Sequence, residues 1–376
     1  MVILNDYRIR FEKSLAWRVS AFLLDTFGFP LSIPNKLLGT GNLNSNPKIL
    51  TIRKDEIGDA VLSLPIYEAI KKKYPKSKIT VLASKYTEEV FRNNPYIDEL
   101  LLTDPFWKKG IINYIKGLLE TSRIIRNKKF DIGIDPKGSI INIILMYLGR
   151  VRKRISYWNI SGGRYLLTNP VFYEKQIHEV ESNLNLLRII GIKTKFIIPK
   201  LYLTEKERKD VKSYLKKNRL SDFVAVYAIP SQTYKKWDNE KFSELIKSFP
   251  KKIFVIIGTS MDRKDIEEIT NNNDNVLPLY DFNIRKLSYL FGFAKAVVAV
   301  DGGPMHLAWI SNKNVISLFG QNDLKLWKPL NKGIAISHLP DSEQGIFRKK
   351  LELNQKNKYM EMIKVEEVKR ELRKKI

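Results

Sequence analysis

The residues AVVAVDGGPMHLAWISNKNVISLFG run from Ala296 to Gly320. Five apolar residues stop at Asp301, two glycines and a proline follow, and a second apolar run begins at Val315. The pattern reads as strand, tight turn, helix, strand, the repeating unit of a parallel sheet covered by helices. Gly302 and Gly303 permit positive φ and close approach of the backbone to a ligand. Pro304 suits the first helical turn, where its missing N–H has no partner in any case. The N–H groups at the start of such a helix, near Met305 and His306, form an anion-binding terminus, and the imidazole of His306 can add a donor. The same residues are also compatible with a purely structural strand–helix turn that packs a histidine.

The alternation continues on both sides. Before Ala296 come strands at FVAVYA (223–228), KIFVIIG (252–258) and NVLPLY (275–280), separated by the helical patterns NEKFSELIKSF, RKDIEEIT and IRKLSYLFGF. An earlier series starts at Pro47, with strands at KILTIR, KITVLAS, DELLLTD and FDIGIDP and helices between them. IHEVESNLNLLRIIG ends on Gly191, a suitable C-terminal cap. The chain therefore reads as α/β, two Rossmann-like domains with mainly parallel sheets facing across a cleft. The expected divisions are an N-terminal extension (1–46), a first domain (47–191), a linker (192–204), a second domain (205–345), and a C-terminal tail and helix (346–376).

Composition narrows the chemistry. The 376 residues contain no cysteine, which excludes disulfides and thiolate metal sites, and the three histidines, His178, His306 and His338, form no close pair. No metal site and no cofactor is expected. The net charge of +26, from 66 Lys and Arg against 40 Asp and Glu, points to an anionic partner: nucleic acid, membrane surface or acidic substrate. No nucleic-acid-binding module is readable, so no nucleic-acid partner is expected. The excess is concentrated between Phe106 and Tyr165, with thirteen Lys and Arg, three Asp and Glu, and interleaved Phe106, Trp107, Tyr114, Tyr147, Tyr157 and Trp158. No secretory signal is evident, and Val19–Leu31 is too short to span a bilayer. Phe11, Leu15, Val19, Phe22 and Thr26 recur at helical spacing beside Arg8, Arg10, Lys13 and Arg18. Such a helix can lie on an anionic membrane or pack on the protein itself.

Open α/β sheets bind ligands beyond the carboxyl ends of their strands. The unusual polar clusters fall at such places: RKDEIGD (53–59), AIPSQTYKKW (228–237), GTSMD (258–262), DGGPMH (301–306) and GQND (320–323). With these motifs, ILTIRKDEIGDAVLSLPIYEAI and the run KKWDNEKFSELI, DGGPMHLAWISNKNVISLFGQND and KPL resemble glycosyltransferase family 9, the ADP-heptose:lipopolysaccharide heptosyltransferases.

The resemblance implies a GT-B fold and an inverting, metal-independent sugar transfer, from a nucleotide-diphospho-sugar such as ADP-heptose to an anionic lipid-linked glycan. It implies an acceptor-side first domain and a nucleotide-sugar-binding second domain. It also implies a cytoplasmic enzyme, peripheral on the inner face of the cytoplasmic membrane. Asp59 is then the general base; as a residue at a helix start it is equally a candidate N-cap. Gly58 supplies the turn that aims it. Lys235, in the spacing Ser-x-x-x-Lys-x-Trp with Ser231, stabilises the leaving diphosphate, with Lys236 as the neighbouring candidate. Asp301, Gly302, Gly303, Met305 and His306 bind the donor phosphates and sugar, and Asp262 the ribose. Lys137 and Ser139 bind the acceptor. Where many relatives carry Asp-Thr-Gly, this chain has Asp301-Gly302-Gly303, so one hydroxyl near the diphosphate is missing.

Overall fold

The computed structural model describes residues 15–28, 30, 45–103, 110–174, 176–270, 273–312, 314–330, 333–341 and 358–376. The chain divides into two compact units, Met1–Lys200 and Leu201–Ile376.

In the first unit, helix α1 (Leu15–Phe27) precedes β1 (Lys48–Ile52), α2 (Ile57–Ser63), α3 (Pro65–Lys73), β2 (Lys78–Ser84) and β3 (Glu99–Thr103). There follow α4 (Gly110–Lys128), β4 (Ile132–Asp135), α5 (Ile140–Leu148), β5 (Lys153–Tyr157), β6 (Asn169–Val171) and α6 (Glu179–Asn185). The six strands are ordered β3-β2-β1-β4-β5-β6 and pair only in parallel. Ile49 lies opposite Ile79 on one side and Ile132 on the other. All three are fully buried, as expected for a sheet covered on both faces. Leu50, Ile52, Leu82, Ile143, Leu145 and Met146 form one side of that core.

Helix α1 packs on its own unit. Ala21 joins the core, and the buried Asp25 accepts the N–H groups of Gly163 (2.9 Å) and Arg164 (2.7 Å). Of the two readings of this segment, the described residues follow the packed one; Arg8, Arg10, Phe11 and Lys13 lie outside them. The basic aromatic segment also needs correction. Tyr157 and Trp158 are buried, and the buried Arg154 donates to the carbonyls of Leu166 and Val151. These residues continue the sheet and cannot meet a membrane. Phe106 and Trp107 lie outside the described residues.

The second unit comprises α7 (Glu205–Lys217), β7 (Phe223–Tyr227), α8 (Asn239–Lys247), β8 (Ile253–Gly258), α9 (Arg263–Thr270) and β9 (Val276–Tyr280). It continues with α10 (Ile284–Phe291), β10 (Ala296–Val300), α11 (Gly303–Ser311), β11 (Val315–Phe319), β12 (Ile334–Ser337) and the terminal α12 (Val365–Arg373). Its sheet, ordered β12-β11-β10-β7-β8-β9, is again wholly parallel. Each sheet thus reverses its strand order once, between β1 and β4 and between β7 and β10. Those are the places where an open sheet presents diverging loops to a ligand. The terminal helix closes the second core through Val365, Val368 and Leu372.

The helix α7 is fixed by a capping box. Thr204 Oγ1 accepts the Glu207 N–H, and the Glu207 carboxylate accepts the Thr204 N–H. The same carboxylate holds the fully buried Arg285 of α10 at 2.6 and 2.9 Å. That pairing pulls the Glu207 pKa down to about 2.

Candidate functional site

Two groups of charged side chains stand at the two reversal points. In the first unit, β1 ends at Ile52 and the fully buried Arg53 follows. Its guanidinium donates twice to the backbone carbonyl of Asp59, at 3.1 and 3.0 Å, and lies 3.5 Å from Asp59 Oδ1 and 3.6 Å from Asp55. A planar, permanently charged fork suits this bridging task better than an ammonium. The Lys137 ammonium reaches in from the loop after β4, 3.0 Å from Asp59 Oδ2 and 2.8 Å from Asp55. Lys54 is drawn into the same neighbourhood. Burial pulls its pKa to about 8, although Asp135 and Asp55 act the other way.

The loop that aims Lys137 is built on Asp135, which is completely buried. Its carboxylate collects the N–H groups of Lys137 (3.1 Å) and Ser139 (2.8 Å), the Asn142 amide (2.9 Å) and the Ser156 hydroxyl (2.8 Å). Burial nevertheless wins, and the carboxyl is pushed above its usual range. Gly138 takes φ +66°, and a Cβ there would meet Tyr157 O at 2.8 Å. Only glycine fits this bend.

Two expectations change here. Helix α2 begins at Ile57 with Glu56 as its N-cap residue, so Asp59 lies inside the first turn and does not cap it. Its carboxylate is 7% exposed and turned to Arg53 and Lys137. Gly58 is likewise a buried helical residue of that turn and not the bend before it. Ser139 precedes α5 but makes no side-chain cap; its N–H serves Asp135.

In the second unit, the clusters at 228–237, 258–262, 301–306 and 320–323 follow β7, β8, β10 and β11, at one edge of one sheet. The loop after β7 is anchored by Trp237. This ring is fully buried, packs edge-on to Phe242 at 4.7 Å and donates to Ile363 O at 3.0 Å. Burial of this size makes a Trp→Ala change cost about 3–5 kcal/mol, so the register of the loop is firmly held. With Trp237 fixed, the two preceding lysines part company. Lys235 reaches Asp301 Oδ2 at 3.0 Å, and Lys236 pairs with Asp265 of α9. The 5%-exposed Asp301 also accepts from Asn322 Nδ2. Burial pushes its carboxyl up, but Lys235 and His306 outweigh that and hold it below the ordinary carboxylate range.

The turn quoted at the outset is built differently from the expectation. Gly302 has φ 173°, which is extended backbone, and neither Gly302 nor Gly303 takes the left-handed φ that favours glycine. The reason for glycine at 302 is space: a Cβ there would lie 3.0 Å from Tyr227 Cε1 and 3.2 Å from Tyr227 Oη. The aromatic end of β7 fills the volume that a side chain at 302 would take. The N–H groups of Met305 and His306 already donate to Gly302 O, at 3.1 and 3.4 Å. Gly303 carries the first N–H of the helix, and Pro304 has none. Met305 and His306 are buried, with the imidazole edge-on to Trp327 at 6.3 Å.

The structure therefore joins Asp59 to Lys137, and Lys235 to Asp301 with His306 close by. It does not draw in the other two donor-side candidates. Ser231 is exposed, and the Asp262 carboxylate closes its own turn by accepting from Thr259 N (2.7 Å) and Oγ1 (2.8 Å). Sequence reasoning singled out neither Arg53, Asp55, Tyr227 nor Asn322. All but Tyr227 sat inside the polar clusters it marked.

Residues 119–358 match the family model of glycosyltransferase family 9 (heptosyltransferase). The chain belongs to glycosyltransferase family 9. It is thus a glycosyltransferase, and the two parallel six-stranded units are the GT-B fold. The family match begins within α4, so β1 and Asp59 precede it. Wider likenesses cover more of the chain. Lipopolysaccharide heptosyltransferase 3 of Escherichia coli is 25% identical over 323 residues, 83% of this chain and 93% of that protein. The solved family 9 glycosyltransferase of Veillonella parvula superposes with a TM-score of 0.73 at 21% identity, covering 87% of this chain and 96% of that one. ADP-heptose lipopolysaccharide heptosyltransferase II of E. coli gives 0.71 at 20% identity, over 87% and 98%.

Proposed function

We propose that this glycosyltransferase moves a heptose from ADP-heptose to a lipopolysaccharide-core acceptor, inverting the anomeric centre without a metal ion. The family supplies the sugar-transfer class, and the two named Escherichia coli relatives are heptosyltransferases. The observation that carries the mechanism is the pairing of Lys235 with Asp301 at the start of α11, beside the reversal between β7 and β10. A lysine held there, with the Gly303 N–H and His306, offers the diphosphate fixed positive charge in place of a cation.

In this reading Asp59 accepts the proton of the acceptor hydroxyl. The acceptor oxygen forms a bond to the anomeric carbon as the bond from that carbon to the diphosphate oxygen breaks. The electron pair leaves with ADP, which Lys235 and the α11 donors stabilise. Asp59 suits the task by position: Arg53, 3.5 Å from one carboxylate oxygen, and Lys137, 3.0 Å from the other, hold the side chain in place. Gly302, Gly303 and Met305 are assigned to the donor phosphates; for Ser231, exposed, and Asp262, closed on Thr259, a donor-side role rests on the family resemblance alone. Gly58, Lys137 and Ser139 lie on the acceptor side, where Lys137 can turn from the two aspartates to an acceptor anion. The enzyme works on the cytoplasmic face of the inner membrane, as a peripheral protein.

Titration with ADP, UDP and GDP, followed by transfer assays with the matching heptose, hexose and N-acetylhexosamine donors, tests the reading. Tight ADP binding and heptose transfer are expected. Preference for another base, or transfer of another sugar at higher kcat/KM, would replace heptose with that sugar and leave the enzyme class intact.

A further inference from the structure

Helix α4 presents an apolar and basic stripe to solvent. Ile112, Ile115 and Leu119 are 79%, 50% and 55% exposed. They recur at spacings of three and four, so they share one face. Lys116, Arg123 and Arg126 fall on that same face one or two turns along and are also exposed. Glu120, at its margin, is the exposed carboxylate of the helix. The opposite side, with Thr121, Ser122 and Ile125, is buried toward the sheet and α5. A helix anchored along one side, with large aliphatic side chains and cations together on the other, has the composition of an interfacial helix lying on an anionic bilayer. A protein partner's acidic surface would match the cations but leave the three aliphatic side chains without a complement.

We propose that the exposed face of α4 is the membrane-docking surface of this enzyme, with Ile112, Ile115 and Leu119 entering the headgroup–acyl boundary and Lys116, Arg123 and Arg126 contacting anionic phospholipid. The assignment rests on the reading above that the acceptor is lipid-linked. Helix α1, which buries Ala21 and Asp25 on its own unit and leaves Leu23 and Phe27 exposed, is not part of the assignment. Lys137 and Asp59 are not part of the surface.

The test is flotation or cosedimentation of the full chain with vesicles containing phosphatidylglycerol, and with vesicles of phosphatidylcholine alone. The wild type should bind the anionic vesicles, and less so as salt rises. Each cation near such a surface contributes roughly fivefold, so Lys116→Gln with Arg123→Gln should weaken binding about 25-fold at low salt. Ile112→Gln, Ile115→Gln and Leu119→Gln together should weaken it by tenfold or more at every salt concentration. Glutamine is a good helix former and these positions are exposed, so folding should be unaffected. Turnover on a deacylated, water-soluble acceptor should stay at the wild-type value in both variants. Unchanged vesicle binding in both variants overturns the assignment, as does equal binding of the wild type to neutral vesicles. A change only in self-association, read by sedimentation, also overturns it and gives the face to a second copy of the chain. Loss of transfer to every acceptor by the wild type would instead refute the lipid-glycan reading, whatever the vesicles show.

Discussion

Replacing Lys235 with methionine separates the structural and chemical roles of the second charged group. Lys235 Nζ lies 3.0 Å from Asp301 Oδ2, and Asp301 is 5% exposed. Removing one partner of a buried pair costs about 3–5 kcal/mol when the remaining charge is left uncompensated. Here Asn322 still donates to the carboxylate and His306 remains close, so a smaller loss, about 2–3 kcal/mol, is the expectation. For a unit of this size that corresponds to a fall in Tm of about 5–10 °C.

The loss should depend on pH in a defined direction. Asp301 has a carboxyl pKa below its ordinary value, so its stabilisation is present above that ordinary value and is lost as pH falls through the folded one. The gap between wild type and Lys235→Met should therefore be full at neutral pH and close on acidification. ADP binding should weaken about 10–100-fold through loss of a charge-assisted contact. Adding Asp301→Asn to the lysine variant removes the stranded carboxylate, so stability should recover while ADP affinity stays low. Urea melts across pH and calorimetry with ADP measure both. If the double variant regains wild-type ADP affinity, Lys235 acts only by neutralising Asp301, and its place at the diphosphate is refuted.

Three further outcomes are expected. Asp59→Asn should keep ADP affinity but lose transfer by about 10²–10⁴-fold, with stability nearly unchanged because Lys137 retains Asp55; near wild-type turnover in a radiolabel transfer assay would remove Asp59 as the base. Activity should persist in EDTA, and loss on chelation with recovery in Mg²⁺ or Mn²⁺ would overturn the metal-free reading. Glu207, at about 2, stabilises the fold above the ordinary carboxylate range and loses that contribution as pH falls from about 4.5 toward 2; Glu207→Gln should cost about 2–3 kcal/mol at neutral pH and flatten the acid limb of the stability curve.

The fold was legible because its strands are buried on both faces. Runs such as KILTI and AVVAV have no competing helical period, and polar turns bound them. The strands that escaped, β5, β6 and β12, lie on the outer side of each sheet. They are short or open with cations: KRISY, NPV and IAIS. Helix α7 escaped because EKERKDVKSYLKK buries only Val211 and Leu215, although its capping box was readable in Thr204 and Glu207. In the site, spacing selected Lys235, but only the buried Trp237 explains why that lysine and not Lys236 faces Asp301. The positive φ expected at the two glycines is not what the structure shows. The crowding at Gly302 comes from Tyr227, 75 residues earlier in the chain, and no local pattern encodes that contact.

Tyr227 also gives the departure at Asp301-Gly302-Gly303 a physical sense. A threonine at 302 would place its Cβ 3.0 Å from Tyr227 Cε1 and 3.2 Å from Tyr227 Oη, tighter than most packed contacts. A side chain at 302 therefore requires the ring to give way by a few tenths of an ångström, or a smaller residue at 227. A Gly302→Thr substitution should accordingly destabilise the second unit while Tyr227 is present. With Tyr227→Ala added, the clash is relieved, and the double variant should melt above the value that the two single losses predict by addition. Strict additivity of the two would mean that ring and turn do not share the space.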